Sequence, residues 1–201
     1  MIAAAPPGAG RAIARWVPDC DARTTQYVVV AAGPEETYRA VLDANLAESR
    51  AARALMALGR APEWIRSRLR GERLAPVAGR ESRLRDVVAG DTPWTVLVDD
   101  PGSELVLGLL WTPPAGGAKR PTAEWRAFAE PGFAKVAWGF SIASRPGGGT
   151  LLTTETRTSA NDAATRRRFR LVWLATAPFA ALLRRLALEA IRAEAEGRRS
   201  S

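Results

Sequence analysis

The chain has 201 residues, of which 47% are hydrophobic and 25% are charged, and its formal net charge is +8. This length suits a single globular domain, and the composition is too apolar for a disordered chain. The sequence contains no histidine, which excludes a Ser-His-Asp triad, a histidine general base and every His-ligated metal site. Cys20 is the sole cysteine, so an internal disulfide and a thiolate metal cage are excluded as well. We therefore expect no metal and no cofactor.

The positive charge comes almost entirely from arginine, because only Lys119 and Lys135 among the 29 basic residues are lysines. The arginines are scattered along an alanine-rich chain, whereas a phosphate-binding surface concentrates its charge on one face. The densest run, 166–170, begins a helix whose other positions are apolar. We interpret this run as a solvated helix face and expect no nucleic-acid partner, with a basic patch as the alternative.

Residues 1–22 are rich in proline, glycine and alanine and show no apolar period, which predicts a loosely ordered arm before a single domain at 23–197. The first twenty residues lack the continuous apolar stretch of a secretory signal. The longest apolar run, Leu171–Leu183, is shorter than the roughly 20 residues that span a bilayer. We expect no integral membrane segment and a cytoplasmic location.

The first predicted strand is Thr24–Ala31, which is dense in β-branched residues and stops at Gly33. A helix should follow, because Pro34 suits a first helical turn and the acidic residues after it complement the helix dipole. Apolar residues at helical spacing predict a second helix over Ala47–Leu58. Residues 60–92 have a weaker pattern and predict short, irregular elements.

Two β-hairpins are predicted in the second half of the chain. Their strand pairs are 94–98 with 104–111, and 135–145 with 150–158. The first hairpin turns at 99–102, and the second turns at Pro146 and the three glycines that follow it. The connection at 112–134 holds a short helical piece, Thr122–Ala129, and is a candidate lid.

The last predicted element is a long amphipathic helix from Ser159 to about Glu196. Ser159 and Asp162 have the spacing of a capping box, with Ser159 at the N-cap. Pro178 should kink this helix, because its ring removes a hydrogen bond and crowds the previous turn. The order of elements predicts an α+β fold in which a curved antiparallel sheet wraps around the long C-terminal helix.

Three segments resemble the SRPBCC or START-like helix-grip superfamily, and within it an uncharacterised bacterial branch. They are WRAFAEPGFAKVAWGF (Trp125–Phe140), LLTTETRTSANDAATRRRFRLVW (Leu151–Trp173) and APFAALLRRLALEAI (Ala177–Ile191). The segment VVVAAGPEETYRAVLDANL fits the opening strand and helix of the superfamily more loosely. Gly139 stands where this branch more usually has Asn, and Phe179-Ala180 where it more usually has Gly-Ser. The superfamily's sheet has about seven strands, so residues 60–92 would have to supply those missing from the pattern.

The resemblance implies an interior between sheet and helix that admits an apolar small molecule. On the strand 135–145 the bulky residues, Trp138 and Phe140 among them, alternate with small ones and should point inward. The candidate ligand-binding aromatics are Trp94, Trp111, Trp125, Phe128, Trp138, Phe140, Phe169 and Trp173. Each of them has core packing as its alternative role. Trp125 and Phe128 share one side of their short helix and either close the cavity mouth or pin a loop.

Glu155 and Arg157 are the polar candidates, because they place two charges on one face of the last predicted strand. Facing inward, they could orient the polar head of a ligand, and Glu155 is also the weak candidate for a catalytic residue. The alternative is an exposed cross-strand pair or a structural bridge to Arg166 or Arg170.

The leading functional hypothesis is a carrier or sensor that binds a hydrophobic small molecule such as a lipid or a polyketide-like compound. One alternative is an enzyme resembling polyketide cyclases or dehydrases. Its candidate groups are Glu155, Glu104, Tyr38, Arg157 and Asp99, which form no recognisable catalytic spacing. Another alternative is a protein-interaction module, and a homodimer is compatible with each hypothesis.

Overall fold

The computed structural model describes residues 11–45, 83–90, 92–112, 116–118 and 121–199. Its elements in chain order are α1 (Arg11–Trp16), β1 (Ala22–Val30), α2 (Pro34–Asp43), α3 (Leu84–Ala89), β2 (Trp94–Asp100), β3 (Glu104–Thr112), β4 (Gly116–Ala118), α4 (Thr122–Ala127), β5 (Ala134–Ser144), β6 (Thr150–Ala160) and α5 (Ala163–Arg199). The predicted helix over Ala47–Leu58 lies outside the described residues. The predicted hairpins are confirmed as β2–β3 and β5–β6.

The strands form one antiparallel sheet in the order β1-β6-β5-β3-β2, with β4 paired to β3. The first strand lies beside the last, because Val30 pairs with Thr150 and Ala22 with Thr158. Helices α2 and α5 pack against one side of the curved sheet, which we call its inner face. This α+β arrangement is the helix-grip fold that the sequence predicts.

The inner face carries the larger hydrophobic core. Alternate residues of each strand point to this side, as the period of two requires. The fully buried members include Val30, Leu105, Leu107, Phe140 and Leu152 from the sheet, Tyr38 and Val41 from α2, and Leu188, Ile191 and Ala195 from α5. The bulky residues of β5 therefore point inward, as expected from their alternation with small ones.

A second hydrophobic cluster covers the opposite side of the sheet, which we call its outer face. Its buried residues are Ile13 in α1 and Val17 just after it, Leu97, Val106, Leu110 and Ala137 from the strands, and Trp125 and Phe128 from α4 and its C-terminal end. Gly139 of β5 fits this packing, because a Cβ atom there would lie 3.2 Å from Ile13 Cδ1. The absence of a side chain at this position thus leaves room for α1.

The N-terminal region differs from its expected loose order over the part that the structure describes. Residues 11–16 form α1, and Ile13 is only 1% exposed. The short sequence RAIARW has one apolar turn, which is too little to show a period, and its burial comes from the sheet beneath it. Within the irregular range 60–92, the structure describes a helix at Leu84–Ala89.

The long helix α5 begins later than the capping-box spacing predicts. Ser159 belongs to β6, and Asp162 instead occupies the cap, where its Oδ1 accepts hydrogen bonds from the backbone N–H groups of Ala164 and Thr165 at 2.9 Å. The error arises because a β-strand that runs to Ala160 uses the residues that would have formed the first turn.

The kink at Pro178 is confirmed. The halves Ala163–Leu174 and Thr176–Gly197 meet at 64°. The break falls at residue 175, three residues before the proline. The missing N–H of Pro178 leaves the carbonyl of Leu174 without its helical partner, and the proline ring crowds that turn. The first half of α5 therefore points away from the line of the second half.

Candidate functional site

Three of the predicted aromatic residues form a continuous surface on the inner face. The ring centroids of Trp94 and Trp138 are 5.9 Å apart, and those of Trp138 and Phe140 are 4.9 Å apart. The two indoles are half-buried, whereas Phe140 is buried. Trp94 lies on β2, and Trp138 and Phe140 lie on β5, with β3 between the two strands. All three rings point to the same side of the sheet.

A second aromatic group joins the end of β3 to the first half of α5. Trp111 meets Phe169 edge to face at 6.2 Å, and Phe169 lies 5.7 Å from Trp173. Phe169 is buried, and both tryptophans are half-buried. Six of the predicted aromatic residues therefore lie between the sheet and α5. Trp94, Trp111, Trp138 and Phe140 come from the inner face, and Phe169 and Trp173 come from α5.

A small apolar pocket lies between the inner face and the second half of α5. Its volume is about 20 Å³, and its lining residues are Val41, Ala44, Leu84, Trp138, Phe140, Ala187 and Ile191. This space fits about one water molecule, whereas small-molecule sites usually measure roughly 300–1,000 Å³. Ala44 and Leu84 stand at the two sides of the segment 46–82, which is outside the described residues.

The inner face also carries polar side chains at its β1–β6 end. Trp138 donates from Nε1 to Thr154 Oγ1 at 2.9 Å, and Gln26 donates from Nε2 to the carbonyl of Ala181 in α5 at 3.1 Å. Two other polar atoms there, Thr24 Oγ1 and Gln26 Oε1, are fully buried without a hydrogen-bond partner. A buried polar atom without a partner costs about 1–3 kcal/mol, so this end of the inner face holds unused binding capacity.

Arg184 brings a positive charge to the same place. Its Nε and Nη2 atoms are fully buried without a hydrogen-bond partner, and none of the carboxylates in the described ranges forms an ion pair with it. Burial lowers the pKa of its guanidinium, yet an arginine remains charged near neutral pH. Arg184 was missed by the sequence analysis.

The position of Arg184 follows from the helix geometry. It lies one turn before Ala187 and Leu188, which are both buried against the sheet. Helical side chains lean toward the N-terminus of their helix, so Arg184 extends over the turn of Ala181, where Gln26 is bound. The available signal was an arginine on the apolar ladder of α5 rather than on its polar side.

Glu155 and Arg157 lie on the outer face, which corrects the expectation that they enter the cavity. Glu155 is 3% exposed and bonds Arg157 Nε at 2.6 Å and Arg23 Nε at 2.8 Å. Arg157 also donates from Nη1 to the carbonyl of Val17 at 3.0 Å. The pair is thus the structural bridge of the alternative interpretation, but its partners are Arg23 and the N-terminal region, while Arg166 pairs with Asp21.

Trp125 and Phe128 also lie on the outer face, so they do not cover the inner cavity as a lid. Trp125 is fully buried and meets Trp16 edge to face at 5.9 Å, and Phe128 meets Phe133 edge to face at 5.1 Å. These contacts support the alternative that the rings pin the connection between β3 and β5 to the sheet. Gly108 allows this, because a Cβ atom there would lie 2.8 Å from the Trp125 ring.

The remaining candidates for acid–base chemistry have structural partners. Glu104 lies on the outer face beside α1, where burial raises its pKa and the backbone N–H groups of Ala12 and Ile13 oppose that rise. The Tyr38 hydroxyl donates a hydrogen bond to Asp99. Burial and this carboxylate raise the pKa of Tyr38, which makes its phenolate less accessible. Glu104 is thus on the opposite side of the sheet from the aromatic surface, whereas Tyr38 shares the inner core with Phe140 and its hydroxyl is held by Asp99.

Comparisons with known proteins return similarity of structure alone. No protein-family model matches the chain, and no curated protein matches it in sequence. Protein MLL2253 from Mesorhizobium loti has 15% sequence identity and a TM-score of 0.33, over 82% of this chain and 96% of its own.

Two di-domain ARO/CYC proteins are also similar. BexL from the BE-7585A biosynthetic pathway has 16% identity and a TM-score of 0.37, over 90% of this chain and 53% of its own. StfQ from the steffimycin biosynthetic pathway has 15% identity and a TM-score of 0.36, over 89% of this chain and 52% of its own. This chain spans about half the length of each di-domain protein.

Among the helices within the described ranges, none taken singly has the length and apolar character needed to cross a membrane. The two halves of α5 have the length and apolar character of a membrane span only when they are combined across their bend, and this match concerns length and composition alone.

Proposed function

We propose that this protein binds a hydrophobic small molecule between the inner face of the sheet and α5, as a carrier or sensor. The supporting observation is the aromatic surface of Trp94, Trp138 and Phe140 beside an apolar pocket. Half-buried indoles that face a helix offer a large apolar area to a ligand at little cost in conformational entropy. The pocket of about 20 Å³ must widen on binding, so the helix and the sheet move apart there.

The test uses N-phenyl-1-naphthylamine, an uncharged probe whose fluorescence rises in an apolar site. We expect saturable binding, which a competing apolar compound reverses. Ala187→Met fills the pocket from α5 and should abolish binding of the probe. Ala193→Met is the matched control, since Ala193 is exposed on the same helix.

A wild-type protein that does not bind the probe would refute the proposal, as would unchanged binding by Ala187→Met in a folded protein. Native mass spectrometry gives a second test. We expect freshly purified protein to carry an apolar compound whose mass disappears after Ala187→Met but remains after Ala193→Met.

A further inference from the structure

Arg184 has no counter-ion among the residues that the structure describes. The residue is half-buried, and its Nε and Nη2 atoms are buried without a hydrogen-bond partner, whereas the buried Arg157 pairs with both a carboxylate and a backbone carbonyl. Buried donors of a charged group that lack a partner are unfavourable, and replacing such a group by an apolar one is often neutral or stabilising. These two donors therefore cost stability in the unliganded protein.

The surroundings of Arg184 match one kind of ligand. Arg184 lies one turn before Ala187 and two turns before Ile191, and both of these residues line the apolar pocket. The free Nε and Nη2 atoms form a planar pair of donors of the kind that binds two oxygens of an acidic group. Thr24 Oγ1, on the facing strand β1, is a further buried hydroxyl able to donate.

Gln26 holds this geometry in place. Its Nε2 atom binds the carbonyl of Ala181 and so ties β1 to the turn of α5 over which Arg184 extends. Its own unpartnered oxygen is an acceptor and adds nothing to the binding of an anion. Gln26 therefore fixes β1 beside the turn of α5 that precedes Arg184.

From this arrangement we infer that the bound molecule carries an acidic head group, a carboxylate or a similar oxyanion, which Arg184 binds while the apolar body contacts the aromatic surface. This inference rests on the proposed function and adds the chemical class of its ligand. It also explains why an unpaired arginine is kept on the apolar side of α5, where leucine or methionine would pack without penalty.

The experiment compares two probes that differ in one anionic group. 1-Anilinonaphthalene-8-sulfonate carries a sulfonate, and N-phenyl-1-naphthylamine has the same aromatic body without it. Arg184→Met should weaken binding of the sulfonate probe by about tenfold or more, because it removes a charge-assisted pair of hydrogen bonds. The affinity for the uncharged probe should stay within about twofold.

Arg185→Met is the matched control. Arg185 is exposed and adjacent, so its replacement removes the same net charge without changing the inner face. We expect both probes to bind this variant as they bind the wild type. Thermal unfolding without ligand should show Arg184→Met to be at least as stable as the wild type, since it removes a buried unpaired charge.

The outcomes separate the two proposals. If the wild type binds the uncharged probe but Arg184→Met binds the sulfonate probe normally, or loses both probes equally, the acidic head group is refuted and the apolar site remains. If neither probe binds the wild type, both proposals fail. Should Arg184→Met not fold, Arg184→Lys and Arg185→Lys replace the two variants, and equal affinity of the sulfonate probe for both refutes the inference.

Discussion

The ion pair of Glu155 with Arg157 is structural because it is buried on the outer face of the sheet. Glu155 lies on the outer face, closed in by β1, β6 and the N-terminal region, and it neutralises Arg157 and Arg23. The Arg157 side chain is 10% exposed, whereas that of Arg23 is 48% exposed, so most of the energetic coupling belongs to Arg157.

We predict that Glu155→Gln lowers the free energy of unfolding by about 3 kcal/mol, because it leaves the Arg157 guanidinium buried without a counter-ion. The measurement is urea unfolding near pH 7. Affinity for N-phenyl-1-naphthylamine should not change in the folded variant, because the residue is remote from the inner face.

The control is Glu35→Gln, which breaks an exposed pair with Arg39 whose side chains are 80% and 59% exposed. Such a pair contributes at most about 0.5 kcal/mol. Equal losses in the two variants would contradict the buried role of Glu155.

Sequence reasoning could not assign the faces of β6 because this strand is covered on both sides. A strand with one solvent-exposed face alternates between apolar and polar residues, but each face of β6 carries both apolar and polar residues. Leu152 and Thr154 point to the inner core, while Leu151 and Glu155 point outward. In β5 the alternation of large and small residues made the assignment possible, since α1 approaches closely only over small side chains.

At the scale of elements, α5 is defined by its cap and its kink. Asp162 accepts hydrogen bonds from the N–H groups of Gly132, Ala164 and Thr165, and from the Thr165 hydroxyl. These hydrogen bonds hold the pKa of its carboxyl well below the usual range. The cap therefore ties the start of α5 to the turn that precedes β5.

We predict that the stability contributed by Asp162 depends on pH in the direction of a depressed carboxyl pKa. The contribution is complete above the unfolded pKa of about 4 and is lost as the pH falls further. Asp162→Asn keeps one acceptor oxygen but loses the charge, so it should be less stable than the wild type at pH 7. The difference should shrink steadily as the pH falls below about 4.

Thermal unfolding at a series of pH values checks this prediction. Asp19→Asn is the control, because Asp19 is an exposed acid in the same protein. A difference between wild type and Asp162→Asn that is independent of pH would mean that the charge of the cap carries none of its effect.

The burial of the Arg184 donors in α5 could have been predicted from the sequence. The ladder of Ala180, Arg184 and Leu188 places the arginine among residues that face the sheet, so its burial follows from spacing alone. The spacing of residues along α5 does not reveal whether Arg184 has a counter-ion, because ion pairs form between elements that are distant in the chain. The pairing of Asp21 with Arg166 is one example.

At the scale of the whole molecule, the sheet is a middle layer with helices on both sides. The inner side holds α2 and α5, and the outer side holds α1 and α4. The six-residue α1 could not be predicted, because it is too short to form alone and depends on the sheet for its stability. Its docking makes the region before β1 a part of the core.

We predict that Ile13→Ala lowers the free energy of unfolding by about 3 kcal/mol, since it removes a fully buried side chain that packs against Gly139 and the outer cluster. The control Arg15→Ala changes an exposed position of the same helix and should cost less than about 0.5 kcal/mol. Chemical unfolding of both variants gives the comparison. Equal stabilities would mean that α1 is not held against the sheet.

The pairing of β1 with β6 has a consequence for how the chain is made. The Thr150 hydroxyl reaches back to the carbonyl of Ala32 across 118 residues of sequence, so β1 leaves the ribosome long before its neighbour exists. Until then the run Tyr27–Val30 is an unpaired, uncharged and β-prone segment, which is the kind that associates with other nascent chains. We therefore expect the nascent chain to be prone to association until β6 has been made, and a circular permutant that places β6 before β1 should shorten the period of exposure.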